Sequence, residues 1–226
     1  MAGMASMATH RAKKETILFF CAHNDDQIIG AGGTLAKYAK EGRYIVTLIL
    51  AFGEGSHPWL QKREIIVKRV KESKKADKIL GGRELMYFGL KEGDFRQDAQ
   101  KKNIVAKLIK LVEKYHPSKI FTHAIDDPHP DHKAAYYILD EALSKMKYKA
   151  ELYTFGIWNP INIRRRNYPK LVVDISKTFK IKIKALMVHE SQKVAVFSLL
   201  WNVYRLAIIN GLKNKCRYAE VFIKVK

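Results

Sequence analysis

Acidic residues are in short supply in this chain: 22 Asp and Glu stand against 42 Lys and Arg, a formal net charge of +20. That surplus favours anionic partners such as nucleic acid, phospholipid surfaces or phosphorylated sugars. The basic residues are dispersed, with short clusters only at Arg11–Lys14, Lys74–Lys78 and Arg164–Arg166. Dispersal of this kind is the pattern of a solvated lysine surface, and no recognisable nucleic-acid-binding module accompanies it. Cysteine is nearly absent. Cys21 and Cys216 are too few for a disulfide framework and give no sign of an oxidising compartment. Cys21 lies in an apolar run and reads as a small buried hydrophobe. Long apolar runs are missing too, since the best stretch, Val194–Leu212, is interrupted by Asn202, Arg205 and Asn210. Its apolar positions Val194, Phe197, Trp201, Tyr204 and Ile208 recur at spacings of three and four, which predicts an amphipathic helix packed on a soluble core. A bilayer-spanning or surface-lying helix is the less favoured alternative. The expectation is a soluble, cytoplasmic protein with no transmembrane span.

What is present is enough chain, 226 residues, for one domain with a sizeable core. Residues 1–14 carry three methionines, small residues and a basic patch without a long apolar stretch, and read as a disordered leader or added tail. Residues 15–226 read as a single domain. Within it, short β-rich runs alternate with helical segments. Strands are expected at Ile17–Ala22, Tyr44–Ala51, Leu85–Phe88, Lys119–Thr122, Glu151–Phe155, Leu171–Asp174 and Ala219–Lys224. Helices are expected at Ile28–Glu41, Lys62–Leu80, Ala99–Tyr115, Asp131–Leu143, Ser176–His189 and Val194–Gly211. The alternation predicts an α/β fold, a Rossmann-like and mainly parallel sheet flanked by helices on both faces. In such a sheet the ligand site lies outside the carboxyl ends of the strands, so chemistry should follow Ala22, Ala51, Phe88, His123 or Phe155.

Two of those places hold unusual residues. After the first strand the chain reads Ala22-His23-Asn24-Asp25-Asp26-Gln27, followed by Gly30, Gly32 and Gly33. A histidine and two adjacent carboxylates are costly to bury without a purpose. His23 and Asp26, three apart in a turn entering a helix, can converge on one cation, with Asp25 pointing elsewhere. After the fourth strand comes Asp126-Asp127-Pro128-His129-Pro130-Asp131-His132, which places two histidines in the first turn of a helix. Two His and one Asp leave a coordination position open, the arrangement of a catalytic rather than structural zinc site. Zinc acidifies water to around neutral pH, and a nearby carboxylate can take the remaining proton.

These stretches resemble the LmbE/PIG-L family of N-acetylglucosaminyl deacetylases. The family's first motif reads Ala-His-Pro-Asp-Asp-Glu before a glycine-rich helix start, and His129-Pro130-Asp131-His132 matches its second. Arg69, Glu72, Ala76 and Leu80-Gly81 fit the family's helix after the second strand. Asp174, Lys184-Ala185 and His189-Glu190-Ser191-Gln192 fit its late segment. The ending Arg217–Phe222 is most similar to archaeal and bacterial members, including diacetylchitobiose deacetylases. The resemblance implies one zinc per chain on His23, Asp26 and His132, although a His/Asp site accepts other divalent ions. It also implies Asp25 as general base, His129 beside the tetrahedral intermediate and Arg69 as a substrate contact. His57, Trp59 and Trp158, on loops after strand ends, are candidate sugar contacts, with His57 and Trp158 taken alongside Arg69. The implied reaction removes the acetyl group from an N-acetylglucosamine-containing sugar, glycoconjugate or nucleotide sugar, with a phosphorylated substrate suiting the basic surface. Homo-oligomers are compatible with the resemblance. Two positions depart from the motif: Asn24 stands for proline and Gln27 for glutamate. The alternative those departures leave open is an inactive member that binds glycan or acts as a scaffold.

Overall fold

A computed structural model of the chain describes residues 14–54, 62–158 and 168–226. The elements run β1 (Thr16–Cys21), α1 (Asp26–Lys40), β2 (Tyr44–Ile49), α2 (Lys62–Leu80), β3 (Glu84–Tyr87), α3 (Phe95–Lys101) and α4 (Ile104–Tyr115). They continue with β4 (Lys119–His123), α5 (Pro130–Ser144), β5 (Glu151–Phe155), β6 (Lys170–Asp174), α6 (Phe179–Leu186), α7 (Lys193–Lys213) and β7 (Ala219–Lys224). One short 3-10 turn, Glu190–Gln192, leads into α7. The leader expected over 1–14, apart from Lys14, and the candidate contacts His57 and Trp59 lie outside the described residues.

The strands form one seven-stranded sheet in the order β3-β2-β1-β4-β5-β7-β6. β1 to β5 pair in parallel, whereas β7 runs antiparallel to both β5 and β6. The α/β expectation holds, with that one reversed strand. The apolar run of β1 is explained by burial on both faces. Ile17, Phe19 and Cys21 enter the core under α1, α6 and α7, while Leu18, Phe20 and Ala22 enter the core under α3, α4 and α5.

Two helices differ from the periodicity. The single helix expected over Ala99–Tyr115 is two, because Asn103 takes a left-handed conformation (φ 53°) that breaks the ladder between α3 and α4. Asparagine tolerates that region better than most residues. The other difference concerns α7. Val194, Phe197 and Trp201 do not pack on the core but face solvent, Ile208 is 40% exposed, and Tyr204 is 38% exposed with its ring edge-on to buried Phe179, while Val196, Leu199, Val203 and Ala207 are buried. The helix carries two apolar stripes, and the one built of smaller side chains is the one against the sheet. Ala207 and Gly211 let it lie close, for a Cβ at Gly211 would sit 2.6 Å from the backbone oxygens of Cys216 and Arg217.

The sheet order reverses direction between β1 and β4. This is the crevice at which open α/β sheets bind ligands. Tight packing of α1 fixes its start there. A Cβ at Gly30 would meet the Phe155 ring at 2.2 Å, and one at Gly33 would meet Ile175 at 2.6 Å. A buried ion pair, Lys182 Nζ to Glu220 at 2.7 Å, is inserted into the backbone of α1. Glu220 accepts from the Gly33 and Thr34 N–H groups at 3.0 and 2.7 Å, and Lys182 donates to the Ile29 carbonyl at 2.7 Å.

Candidate active site

The β1 turn and the first turn of α5 bring their polar residues together at the β1/β4 crevice. His23 and Asp25 precede α1, Asp26 opens it, and His129 caps α5, with Pro130 at its first position. Proline suits that place because its missing N–H would have no helical partner. One ligand atom from each of His23, Asp26 and His132 can be chosen so that all lie within 4.8 Å of one another. Asp26 Oδ1 is 3.4 Å from His132 Nε2, and Asp26 Oδ2 is 3.5 Å from His23 Nδ1.

The electrostatics of this group favour positive charge. Burial alone disfavours a charged His23 imidazolium, but Asp131 and Asp26 outweigh it and raise its pKa to about 10. Burial is likewise outweighed at His132, where Asp26 and Asp127 raise the pKa to about 9. Asp26 is buried, yet the charge on His132 holds its carboxyl well below the usual range. Two imidazoles that hold protons firmly around an ionised carboxylate offer the donors and the negative potential that a divalent cation needs. The residues fit a metal.

A second group, His23, His129 and Asp131, shares His23. Its members are engaged otherwise: Asp131 accepts from the Gly93 N–H at 3.1 Å and lies 3.3 Å from His23 Nε2. His129 Nδ1 accepts from the Asp131 N–H at 3.2 Å. The first group is the better cation site, with Asp131 orienting His23 from behind.

Asp25 is buried at the N-cap of α1 and faces the same cavity, and among the described residues its carboxylate accepts no hydrogen bond. His129 is half-buried and stacked on His132 at 4.6 Å. Burial, then the positive charge on His132 and His23, lowers its pKa, and with Nδ1 accepting, its proton sits on Nε2. Arg69 is buried rather than on the surface; it donates to the Gly53 carbonyl at 2.7 Å and lines the cavity. Trp158 lines it too, 44% exposed at the rim. The cavity measures about 460 Å³, room for a sugar-sized ligand.

Four residues that sequence reasoning left without a role belong here. Asp127 accepts from His132 Nδ1 at 3.0 Å and from the His129, Ile157 and Trp158 N–H groups at 3.1, 2.9 and 3.3 Å. Burial would raise its pKa, but His132 and these donors lower it to about 2. A carboxylate on the far nitrogen of a ligating histidine fixes the ring's tautomer and direction. Its only signal in the sequence was its place in the Asp126–His132 cluster. Asp131 does the same for His23. His123 stacks on His132 at 4.0 Å and accepts from the Ala22 N–H at 3.0 Å. Burial, then the charge on His132, lowers it to about 4, so it stays neutral. His189 is buried near the charges of Asp25 and Glu72, and neither ring nitrogen has a hydrogen-bond partner among the described residues.

Comparison with known proteins agrees with this geometry. Residues 18–143 match the family model described as PIG-L, GlcNAc-PI de-N-acetylase. This chain belongs to the PIG-L family. It is 28% identical over 218 residues to the diacetylchitobiose deacetylase of Thermococcus kodakarensis, covering 88% of this chain and 78% of that protein. Its fold is shared with the N,N'-diacetylchitobiose deacetylase of Pyrococcus horikoshii at a TM-score of 0.78 and 20% identity, covering 93% of this chain and 84% of the other. It is shared equally with the 4-carboxy-2-hydroxymuconate hydratase of Pseudomonas putida KT2440, at 0.79 and 22% identity, covering 94% and 96%. Fold alone therefore does not separate amide hydrolysis from water addition to a double bond.

Proposed function

We propose that this PIG-L family protein is a zinc-dependent hydrolase that removes the acetyl group from an N-acetylated amino sugar, with His23, Asp26 and His132 holding the metal. The observation that carries the reading is the Asp25 carboxylate, which takes no hydrogen bond from the described protein and opens into the cavity beside the His23/Asp26/His132 group. A divalent cation held there would supply Lewis acidity, polarising an amide carbonyl and acidifying water at neutral pH.

The chain's own residues divide the remaining work. Asp25 takes the proton from the water as its oxygen bonds to the amide carbon. The neutral His129 donates its Nε2–H to the oxygen that gains charge. Asp25 then returns the proton to the nitrogen as the C–N bond breaks, giving acetate and a free amine. Asp127 and Asp131 act through His132 and His23 and do not touch the substrate. Arg69 and Trp158 face the sugar across the cavity, the arginine suiting a hydroxyl or phosphate. His57 is proposed as a further contact on its sequence position alone. Residues 15–226 are proposed to work as one unit, and the free Cys21 and Cys216 suit a reducing cytoplasm.

The test is amine release from free N-acetylglucosamine, diacetylchitobiose, a nucleotide-linked form and a phosphoinositol-linked form, with protein carrying one equivalent of zinc. Release that a chelator abolishes supports the reading. Asp25→Ala should keep the metal and lose about 10²-fold or more of turnover. Near-normal turnover in that variant would remove Asp25 as the base. Hydration of an unsaturated carboxylic acid with no amine release would move the chain to the hydratase branch.

A further inference from the structure

Among the described residues, most of the outer face of α7 is left uncovered. Val194, Phe197, Trp201 and Leu212 are 87, 69, 64 and 75% exposed, and Tyr204 and Ile208 continue the same line at 38 and 40%. Their spacings of three and four keep them on one stripe for the length of the helix, roughly 27 Å at 1.5 Å per residue. A contiguous apolar surface of this size marks an interaction site.

The charges around the stripe are, apart from Glu190, positive. α7 contains Lys193, Arg205 and Lys213 and no acid, and Lys215 and Arg217 follow it. The neighbouring α6 packs on it through Phe179 and Tyr204, whose rings lie 4.9 Å apart. α6 adds exposed Lys180 and Lys184, with exposed Met187 at its end. Between Ile175 and Arg217 the only acidic residue is Glu190. An apolar ridge with cationic margins, carried on a chain of net charge +20, is complementary to an anionic, apolar-cored surface.

We propose that α7 is an interfacial helix that docks the protein on a bilayer of anionic phospholipid. The stripe enters the headgroup–acyl boundary while the lysines and arginines meet lipid phosphates, the combination that holds amphipathic helices in that plane. Trp201 and Tyr204 are the aromatic types that settle at headgroup depth, and Arg205 lies over the Trp201 ring at 5.5 Å. Docking is peripheral, for among the described residues no helix is long and apolar enough to cross a membrane. A second copy is a poor occupant, because pairing two such faces brings like charges together. An acidic protein partner would satisfy the charges, but it would also need a surface shaped to fit the stripe, whereas a bilayer demands only area and charge. Docking would also hold the catalytic cavity near the bilayer, since Gln192, just before α7, and Leu199, on its inner side, line that cavity together with Trp158.

The experiment is flotation of the full chain with vesicles of phosphatidylcholine alone and of phosphatidylcholine with about one third phosphatidylglycerol, near the physiological salt at which screening is modest and again at several-fold higher salt. It does not depend on the hydrolytic reading. The expected result is flotation with the anionic vesicles only, weakened by salt, with a blue shift of tryptophan fluorescence. Phe197→Ser/Trp201→Ser should lower vesicle affinity at least tenfold while keeping the melting temperature and its turnover of a soluble substrate. Undiminished flotation of that variant would show that charge alone binds and would overturn the assignment to α7. Failure of the wild-type chain to float would also overturn it. In that case a dimer in light scattering that the variant abolishes would assign the face to a second copy, and a monomer would assign it to an acidic protein.

Discussion

Replacing Asp127 by Asn tests whether the cation site depends on a residue that never touches the cation. In the folded chain all four contacts to its carboxylate are donors: His132 Nδ1 and the His129 N–H on Oδ1, the Ile157 and Trp158 N–H groups on Oδ2. Asparagine offers one accepting oxygen and one donating NH₂, so either orientation turns a donor toward two donors. Each buried donor left unsatisfied costs about 1–3 kcal/mol, so the metal-free variant, with two such donors, should lose about 2–6 kcal/mol. Loss of the carboxylate also frees the His132 ring, and outer-shell changes of this kind lower metal affinity about 10–100-fold. Urea unfolding of metal-free protein gives the first number, and competition with a chromophoric chelator gives the second. An unfolding midpoint equal to wild type, together with affinity within about twofold, would refute the argument that Asp127 sets the direction of His132.

Three further outcomes follow from the same geometry. Lys182→Met should destabilise the fold by about 3–5 kcal/mol, because it leaves Glu220 charged and buried. Adding Glu220→Leu should not restore stability, because the Gly33 and Thr34 N–H groups then lose their acceptor; full recovery in denaturant unfolding would contradict this. Asp77 is held by burial at a pKa of about 6 against 3.8 for the free group, with Thr47 donating at 3.4 Å. Its folded form prefers the proton, so its contribution is complete below pH 3.8 and is lost as pH rises through about 6, a fall of about 3 kcal/mol at 1.36 kcal/mol per pKa unit. Asp77→Asn should therefore be more stable than wild type at pH 8 and equal at pH 4, and a constant difference across that range in unfolding titrations would count against the assignment. Gly33→Ala should lower the melting temperature, because its Cβ would press on Ile175 at 2.6 Å, and an unchanged melting temperature would show that α1 can shift freely.

The sequence revealed the elements whose signals are local. Lys62–Leu80, Glu151–Phe155 and Ala219–Lys224 fall where period, composition and flanking glycines put them. The His/Asp clusters were legible because polar residues at the carboxyl ends of apolar strands have few structural explanations. Roles set by distant neighbours were not legible. Asp127 and Asp126 look alike in the chain, and it is the fold that turns Asp127 toward His132 and brings the Ile157–Trp158 backbone, some thirty positions on, to its other oxygen. His123 read as the end of a strand, and nothing local announced that its ring would back His132. α7 shows the same limit. A helix with apolar residues on two sides has two candidate inward stripes, and its period cannot choose between them; the small residues that let it approach β7 decide.

The departures from the family motif take on a physical meaning in the fold. Neither Asn24 nor Gln27 lines the cavity; both are fully buried behind the β1 turn. Gln27 Nε2 donates to the Asn24 carbonyl at 3.2 Å, and Ser73 Oγ reaches the same oxygen at 3.4 Å. A glutamate at that position could donate there only when protonated, so glutamine is matched to the turn as it stands. It also spares the site another buried carboxylate beside Asp25 and Asp26, where the positive charge within reach is shared among His23, His132 and Arg69. The change therefore lies in how the turn is held, on the side away from the substrate. If so, Gln27→Glu should alter stability and its dependence on pH more than metal binding, whereas an inactive lineage would be expected to have lost one of the cavity residues themselves, and none of His23, Asp25, Asp26, His129 or His132 is missing.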